Sequence, residues 1–410
     1  MSLLVTSAEL NPTNTRQTTQ VWETVPLISA VDFLDSARKP VKSSDRAHMQ
    51  GIYPYFGASG IVDYVNDYIF DEDLILLGED GENILSRKVP LAFKVSGKIW
   101  VNNYAHVLRP TPDFDIDYLT AYLESLDYSE YNTGTAQPKL NKDSCSKIQI
   151  AKPPKAEQAR ISRSLNDAQS LISSLEKLIS KEQTIKQGMM QELLTGKKRI
   201  PGFSGPWSTA VLGDHFEITS SKRVFQRDWR ASGVPFYRAR ELAILGVCGT
   251  VDNDLFIDRA MFDEYRRLYG APEPGDFLVT GVGTLGKTYV VKPGDEFYFK
   301  DGNILWLKRS ETVDSNFLKF LYSTPLVERQ ISDGSSGTTV GTYTITNAKK
   351  TEIPLPPIAE QRAIATALSD VSETIDVLQS RLAKAKSLKQ GLIQELLTGR
   401  TRLQPAEFPA

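Results

Sequence analysis

The sequence predicts an α+β protein: two mixed α/β globules separated by two long helices that pair as an antiparallel coiled coil, with pseudo-twofold symmetry. Three observations predict it. First, Pro153–Ile200 returns as Pro356–Leu403, an offset of 203 residues, with 21 identities in 48 positions and no gap. Second, both copies carry apolar residues at alternating spacings of four and three, which is a coiled-coil seam. Third, the stretch before each copy is rich in strand-forming residues punctuated by Gly, Asn and Asp turns.

Taken in order, residues 1–20 read as a polar tail without the charged-then-apolar layout of a signal peptide. Residues 21–152 form the first globule. It opens on Trp22-x-Thr-x-x-Leu, passes a basic stretch and reaches Pro54-Tyr55-Phe56. "DIDYLTAYLESL" then begins with an Asp and has helical spacing. Residues 153–200 form the first long helix. Pro153-Pro154 stands where a helix starts and Gly196 where it ends. Its seam is Ile161, Leu165, Ala168, Ile172, Leu175 and Ile179, slipping near Lys186 and resuming at Met189 and Leu193. From Glu157 to Leu194 it would span roughly 57 Å at about 1.5 Å per residue.

Residues 201–355 form the second globule. It repeats the Trp motif at Trp207, the basic stretch, Pro235-Phe236-Tyr237 and an Asp-led helix in "DSNFLKFLYSTP". Gly134-Thr135 and Gly337-Thr338 are again 203 apart. Residues 356–403 form the second long helix, with seam residues Ile364, Leu368, Val371, Ile375, Leu378 and Leu382. This seam slips near Lys389 and resumes at Leu392 and Leu396. Residues 404–410 are a short tail.

Bulk properties exclude several classes. With 40% hydrophobic and 24% charged residues and no membrane-length apolar run, the chain reads as a globular protein without a membrane role. Cys145 and Cys248 are the only cysteines, too few for a disulfide framework, so a reducing cytoplasm is expected. The net charge of −2 excludes a uniformly basic nucleic-acid binder but not a locally basic one.

Few motifs suggest chemistry. Gly281-x-x-x-x-Gly286-Lys287-Thr288 has the spacing of a nucleotide-binding P-loop. A P-loop must open a helix, whereas Tyr289-Val290-Val291 favours a strand and Pro293-Gly294 a turn. A β-hairpin is the better reading, with Gly281, Gly283 and Gly286 supplying backbone freedom. His48, His106 and His215 have no metal-ligand spacing and read as structural or surface residues. The acidic stretch "DEDLILLGEDGENILSR" lacks a calcium-loop pattern. Its centre, Leu74 to Leu77, reads as a strand with solvated ends. Nothing resembles a catalytic centre, so no metal and no catalytic residue is expected on this chain.

The basic stretches remain, at matching places in both globules. They are Arg38, Lys39, Lys42 and Arg46 in the first, and Lys222, Arg223, Arg227, Arg230, Arg238 and Arg240 in the second. Such side chains attract phosphate, and Arg can grip guanine bidentately. Tyr, Asn, Ser and Gln neighbours suit base-edge readout. Candidate DNA contacts therefore also include Tyr55, Ser59, Asn103, Tyr104, Gln137 and Lys139, and Tyr237, Thr284 and Lys287. A coiled-coil scaffold with two protein-binding globules is the alternative reading.

From Trp22 to Leu403 the chain resembles the specificity subunit of type I restriction–modification enzymes. The duplicated "PPxAEQ" and "QELLTG" around long helices carry the resemblance most strongly. "YPYFGASGIVDYVNDYIFDEDLILLGEDG" and "WVNNYAHVL" are similar to one recurrent type of target-recognition domain. "VPFYRARE" and "PGDFLVTGVGTLGK" belong to another type, in which the glycine segment is a hairpin. The resemblance implies a non-catalytic reader of a bipartite DNA target, with one half-site per globule and the spacer set by the coiled coil. It implies two methyltransferase subunits as partners, and through them two motor-nuclease subunits. S-adenosylmethionine, ATP and magnesium are expected on those partners, with no cofactor on this chain.

Overall fold

The computed structural model describes residues 22–134, 137–335 and 341–403. The two tails, Thr135, Gly337 and Thr338 lie outside the described residues. The chain forms two compact units. Unit 1 comprises Met1–Leu175 with Arg381–Ala410, and unit 2 comprises Glu176–Ser380.

Unit 1 contains β1 (Glu23–Pro26), β2 (Val31–Phe33), β3 (Gln50–Gly57), β4 (Gly60–Val65), β5 (Phe70–Asp71), β6 (Leu74–Gly78), β7 (Ala92–Val95), β8 (Lys98–Val101), β9 (Ala105–Pro110), helix α1 (Ile116–Ser125) and β10 (Gln149–Lys152). The long helix α2 (Lys155–Leu193) starts here. One sheet has the order β2-β9-β6-β7 and a second β4-β3-β8-β5, while β1 pairs with β10. Side chains alternate across a strand, and β6 is covered on both faces. Ile75 and Leu77 join one apolar cluster, and Leu74 and Leu76 join another. This explains the unbroken Leu-Ile-Leu-Leu run inside an acidic stretch.

Unit 2 repeats the plan. Its elements are β11 (Ser208–Val211), β12 (Ile218–Thr219), β13 (Val234–Tyr237), α3 (Ala239–Cys248), β14 (Phe256–Ile257), α4 (Arg259–Tyr269), β15 (Phe277–Thr280), β16 (Thr288–Val290), β17 (Tyr298–Phe299), β18 (Ile304–Leu307), α5 (Ser315–Leu321), α6 (Pro325–Ser335), β19 (Glu352–Leu355) and α7 (Ile358–Leu396). The sheets are β12-β18-β15-β16 and β14-β13-β17, with β11 paired to β19. The Pro-aromatic-aromatic repeat marks equivalent strands. Tyr55-Phe56 runs parallel to Trp100-Val101, and Phe236-Tyr237 runs parallel to Tyr298-Phe299. The P-loop lookalike is a hairpin, with Val279 opposite Thr288. Gly283 and Gly286 take φ of 79° and 72°. A Cβ on Gly281 would stand 2.6 Å from the Tyr343 carbonyl oxygen.

The repeated motifs work across the sequence rather than along it. In unit 1 the start of α2 lies antiparallel to the end of α7, with Ile161 and Leu165 clustered with Leu396 and Leu397. In unit 2, Leu193 and Leu194 cluster with Ile364, Ala365 and Leu368. Each helix start is clasped to the segment after the other helix. Glu157 takes two hydrogen bonds of 2.7 Å from Arg402. Glu360 takes bonds of 2.5 and 2.6 Å from Arg199. Arg402 lies over the Trp22 ring and Arg199 over Trp207, at 5.1 and 5.4 Å. Gly399 and Gly196 leave room for those rings, since a Cβ on either would come within 3.2 or 3.3 Å of indole carbons.

The neighbouring glutamine ties each helix start to its globule. Gln158 accepts from the Asp115 N–H and Gln361 from the Asp314 N–H, both at 2.8 Å. These two Asp residues are the expected N-caps of α1 and α5.

One expectation is corrected: the seams do not slip. The four-three spacing continues through Glu182 and Lys186 to Met189 and Leu193, and through Ala385 and Lys389 to Leu392 and Leu396, all at least partly buried. Lysine occupies a seam position by leading its charge sideways. Lys389 reaches Gln169 at 2.7 Å, and the Lys186 ammonium lies 5.9 Å from the Phe320 ring centre.

A buried charge network fixes the loop ends of unit 1. His106, 1% exposed, faces Asp35 with Nδ1 at 2.7 Å and the Leu140 carbonyl with Nε2 at 2.9 Å. Both ring nitrogens meet acceptors, so the imidazolium fits. Burial would lower the His106 pKa, but the Asp35 and Cys145 side chains outweigh it and hold it at about 10. Burial would raise the Asp35 carboxyl, yet His106, the Val107 N–H and Arg38 hold it below the usual range.

Two outcomes are expected. Arg199→Ala leaves the Glu360 carboxylate, 0% exposed, without its counter-ion. It should lower the urea midpoint of the full chain, because the buried carboxylate keeps only the Trp207 indole N–H. Equal midpoints for variant and wild type would remove the clasp from the account. The folded pKa of His106 is raised, so its contribution is complete below about pH 6.5 and disappears as pH rises through about 10. Hydrogen exchange at Glu79–Gly81 and Lys139–Asn141 should therefore accelerate between pH 7 and 10.5 beyond the intrinsic rate, and His106→Phe should abolish that excess.

Candidate nucleic-acid interface

In both units the same end of the sheets gathers loops from distant sequence. In unit 1, β3 and β8 run parallel and finish side by side. The β3–β4 turn carrying Ser59 lies there beside the β8–β9 turn carrying Asn103 and Tyr104, joined through Asn102 N–H to the Phe56 carbonyl at 3.1 Å. The loop after β6 arrives at the same place. Glu79 N–H donates to Tyr104 O, and Gly81 N–H to Pro138 O, at 2.8 and 3.0 Å. Pro138 brings Gln137 and Lys139 with it. Ser59, Asn103, Tyr104, Gln137 and Lys139 are exposed.

The basic stretch divides. Lys39 and Lys42 are exposed, and neither side chain makes an ion pair among the described residues. Arg38 points inward, donating to Glu79 at 2.7 Å and the Ala105 carbonyl at 2.8 Å. Lys139 pairs with Asp80 at 3.1 Å and Glu79 at 3.5 Å. Arg46 lies near the start of β3, bound to Asp63 at 3.0 Å and stacked 4.7 Å from the Tyr55 ring centre. Tyr55 is 1% exposed and accepts from the Val41 N–H, so the structure makes it a core residue instead of a surface contact. β3 is an inner strand whose second half is covered on both faces, with Tyr55 and Phe56 in separate apolar clusters, which the alternation alone does not reveal.

Unit 2 builds the equivalent end from the 220–223 segment, the start of α3, the β15–β16 turn and the β17–β18 turn. Gly281 N–H reaches Asn303 O at 2.8 Å. Ser220 Oγ donates to Ile304 O and accepts from Gly302 N–H. Lys222, Arg223, Arg240, Thr284 and Lys287 are exposed here. Arg223 keeps a 3.1 Å contact with Asp301, though 69% of its side chain is open. Arg238 is folded onto the buried Glu241 at 2.7 Å, and its backbone N–H donates to the same carboxylate at 3.0 Å at the start of α3. Tyr237 packs on Phe297 with ring centres 4.9 Å apart, and burial raises its pKa. Arg227 and Arg230 are exposed but lie before β13, towards its opposite end, where Arg230 bridges Phe256.

Sequence reading missed Glu79, Asp80, Asp301 and Asn303 as members of these ends. The signal was available in the repeat: the turn after each central strand occupies the same place in both globules. Glu79 and Asp80 are positioning groups for Arg38 and Lys139, and Asp carboxylates can also accept from cytosine N4. Among the described residues there is no cluster of His, Cys, Asp and Glu that could hold a metal ion, and no helix long and apolar enough to cross a membrane.

Comparison with known proteins bears on this arrangement. The model of the type I restriction modification DNA specificity domain matches twice, over residues 21–187 and 205–387. A putative type I restriction enzyme specificity subunit of Haemophilus influenzae, S.HindORF215P, is 32% identical over 353 residues, covering 85% of this chain and 87% of that protein. The MjaVIII specificity subunit of Methanocaldococcus jannaschii is 25% identical over 418 residues, covering 94% of each. The crystal structure of a type I restriction–modification S subunit from M. genitalium shares the fold at TM-score 0.62 and 13% identity, covering 93% of this chain and 98% of that one. With both copies matched and a relative of this identity across most of its length, the chain belongs to the type I restriction–modification DNA specificity family.

Proposed function

We propose that this chain reads a bipartite DNA target for a type I restriction–modification complex, one half-site per unit. The observation that carries the reading is the repeated sheet end. A common strand arrangement presents exposed basic and polar side chains in both units, yet they differ: lysine, amide and hydroxyl groups in unit 1, lysine, arginine and threonine in unit 2. A shared frame with different surfaces suits two half-sites of different sequence.

Within that reading, Lys39, Lys42, Lys222, Arg223 and Lys287 take phosphate oxygens. Ser59, Asn103, Tyr104, Gln137, Arg240 and Thr284 stand where base edges would be read. Arg38, Arg46, Lys139, Tyr237 and Arg238 hold loops in place. The paired helices set the number of unread base pairs between half-sites. The chain itself is non-catalytic. Two methyltransferase subunits bind it and carry adenine methylation with S-adenosylmethionine, and two motor-nuclease subunits, attached through them, carry ATP- and magnesium-dependent cleavage.

One observation favours a protein contact as well. Ile52, Ile61, Val62 and Tyr64 on the β3–β4 hairpin are 79%, 50%, 59% and 48% exposed. A methyltransferase subunit on that hairpin accommodates both readings.

Two measurements test the proposal. Replacing residues 22–152 with another globule of the family should change one half of the methylated sequence, read by methylome sequencing, and leave the other intact. A change in both halves would sink the idea of independent readers. In salt titrations of DNA binding, Lys39→Ala with Lys42→Ala should flatten the log–log slope by about 0.9 per lost phosphate contact. Arg38→Ala should instead lower the melting temperature, because its bonds are internal.

A further inference from the structure

The glycine-rich turn between β15 and β16 takes its shape from one buried residue. Thr280 ends β15 and is 0% exposed. Its hydroxyl donates to the Thr284 carbonyl and accepts from the Lys287 N–H, the latter at 3.0 Å. Its own N–H donates to the Lys287 carbonyl, and its carbonyl accepts from the Gly286 N–H, both at 2.9 Å. One residue thus ties the turn at its middle and at its far end. From outside, the Gly281 N–H donates to Asn303 O at 2.8 Å and the Tyr343 N–H to Gly281 O at 2.9 Å. A Cβ on Gly286 would stand 2.9 Å from Ile331 Cδ1. The tip is different. Gly283 has a φ of 79°, but a Cβ there would meet nothing within 4 Å. Thr284 beside it is exposed, and its hydroxyl makes no hydrogen bond among the described residues.

Unit 1 lacks this device. Val282 bridges Thr342 as Asp80 bridges Lys139, and Thr342 follows Lys139 by the repeat offset of 203. Thr280 therefore stands where unit 1 has Gly78, which has no side chain to tie a turn. There Arg38 holds the turn instead, through Glu79 at 2.7 Å. Buried hydroxyls are nearly always paired, so pairing alone would mark an ordinary core threonine. Both partners of this hydroxyl, however, are backbone groups of the residues at the reading end, Thr284 and Lys287.

We propose that Thr280 is a positioning residue for base recognition in unit 2: its hydroxyl holds the turn in the shape that presents the Thr284 side chain to a base edge of the second half-site. The inference rests on the DNA-reading function above and names the element that discriminates bases in unit 2. A threonine side chain suits this task, with a hydroxyl for a base edge and a methyl for the thymine methyl. A turn fixed before binding loses little freedom on contact. Phosphate contacts carry no sequence information, so loss of the hydroxyl costs discrimination before it costs affinity.

The test uses the full chain assembled with its methyltransferase partner and reads the methylated sequence. Thr280→Val keeps the side-chain shape and removes the hydroxyl. It should lower the preference at one base pair of the second half-site about tenfold. The first half-site and the salt slope of duplex binding should stay unchanged. Thr284→Ala should relax the same base pair, and Thr280→Ser, which keeps the hydroxyl, should retain the wild-type preference. An unchanged preference in Thr280→Val would overturn the inference. Relaxation of both half-sites, a relaxed serine variant, or different base pairs relaxed by Thr280→Val and Thr284→Ala would overturn it too. If Thr280→Val does not fold, Thr284→Ala decides, and an unchanged methylated sequence sinks the proposal. If wild type methylates no bipartite site, the DNA reading itself fails. If exchange of residues 22–152 changes one half-site while the threonine variants change nothing, only the inference on Thr280 fails.

Discussion

The buried carboxylate of Glu360, held by Arg199 and the Trp207 indole N–H, and its counterpart Glu157 with Arg402, are the contacts on which the architecture depends. Glu157 and Arg402 are 245 residues apart. Closing a loop of that length costs about 5 kcal/mol of chain entropy. Hydrophobic seam contacts offset that cost but specify register loosely, because every heptad offers a similar surface. A bidentate carboxylate–guanidinium pair at the helix end is directional and accepts one register. The glycine next to each pair lets an indole ring close over one side of the guanidinium.

This division of labour explains why the two copies diverge unevenly. The helix-end motif must satisfy four partners at once: a guanidinium, an indole, a capping loop and the seam. The globules need only keep their inward residues and strand order. Turn lengths and exposed side chains at the sheet ends can then vary, and unit 2 inserts α3 where unit 1 has a tight turn between β3 and β4. A recognition surface built on loops over a fixed sheet frame can change its chemistry without endangering its core.

The long helices, their antiparallel partners in each unit and the Asp caps were legible because they depend on local periodicity and an ungapped repeat. The hairpin at Gly281–Thr288 was legible from Tyr289 to Gly294 alone. Other features depend on partners far away in sequence. Arg38 reads as a free cation until Glu79 and Ala105 arrive beside it, 41 and 67 residues later. Tyr55 reads as half-exposed until β8 covers its other side. Lys186 and Lys389 read as breaks because a seam is judged by apolarity, whereas the backbone phase passes through them unchanged. The helix α4, by contrast, carried its own local signal, since Met261, Phe262, Tyr265 and Tyr269 recur at helical spacing behind the Asp258 cap.

Unit 1 is assembled from both ends of the described chain, and this imposes an order of events during synthesis. Its globule and the start of α2 emerge first, but the seam residues Leu392 and Leu396 and the clasp residue Arg402 are made more than 200 residues later. At about 5–20 residues per second the wait is tens of seconds at most. Throughout it, Ile161, Leu165 and the Trp22 ring lack their covering segment, while the uninterrupted span Glu176–Ser380 of unit 2 is completed within one stretch of translation. The first globule to be made is therefore the last to be sealed. A ribosome stalled before Leu396 leaves an apolar strip open to chaperones and proteases, so incomplete chains carry their own mark for disposal.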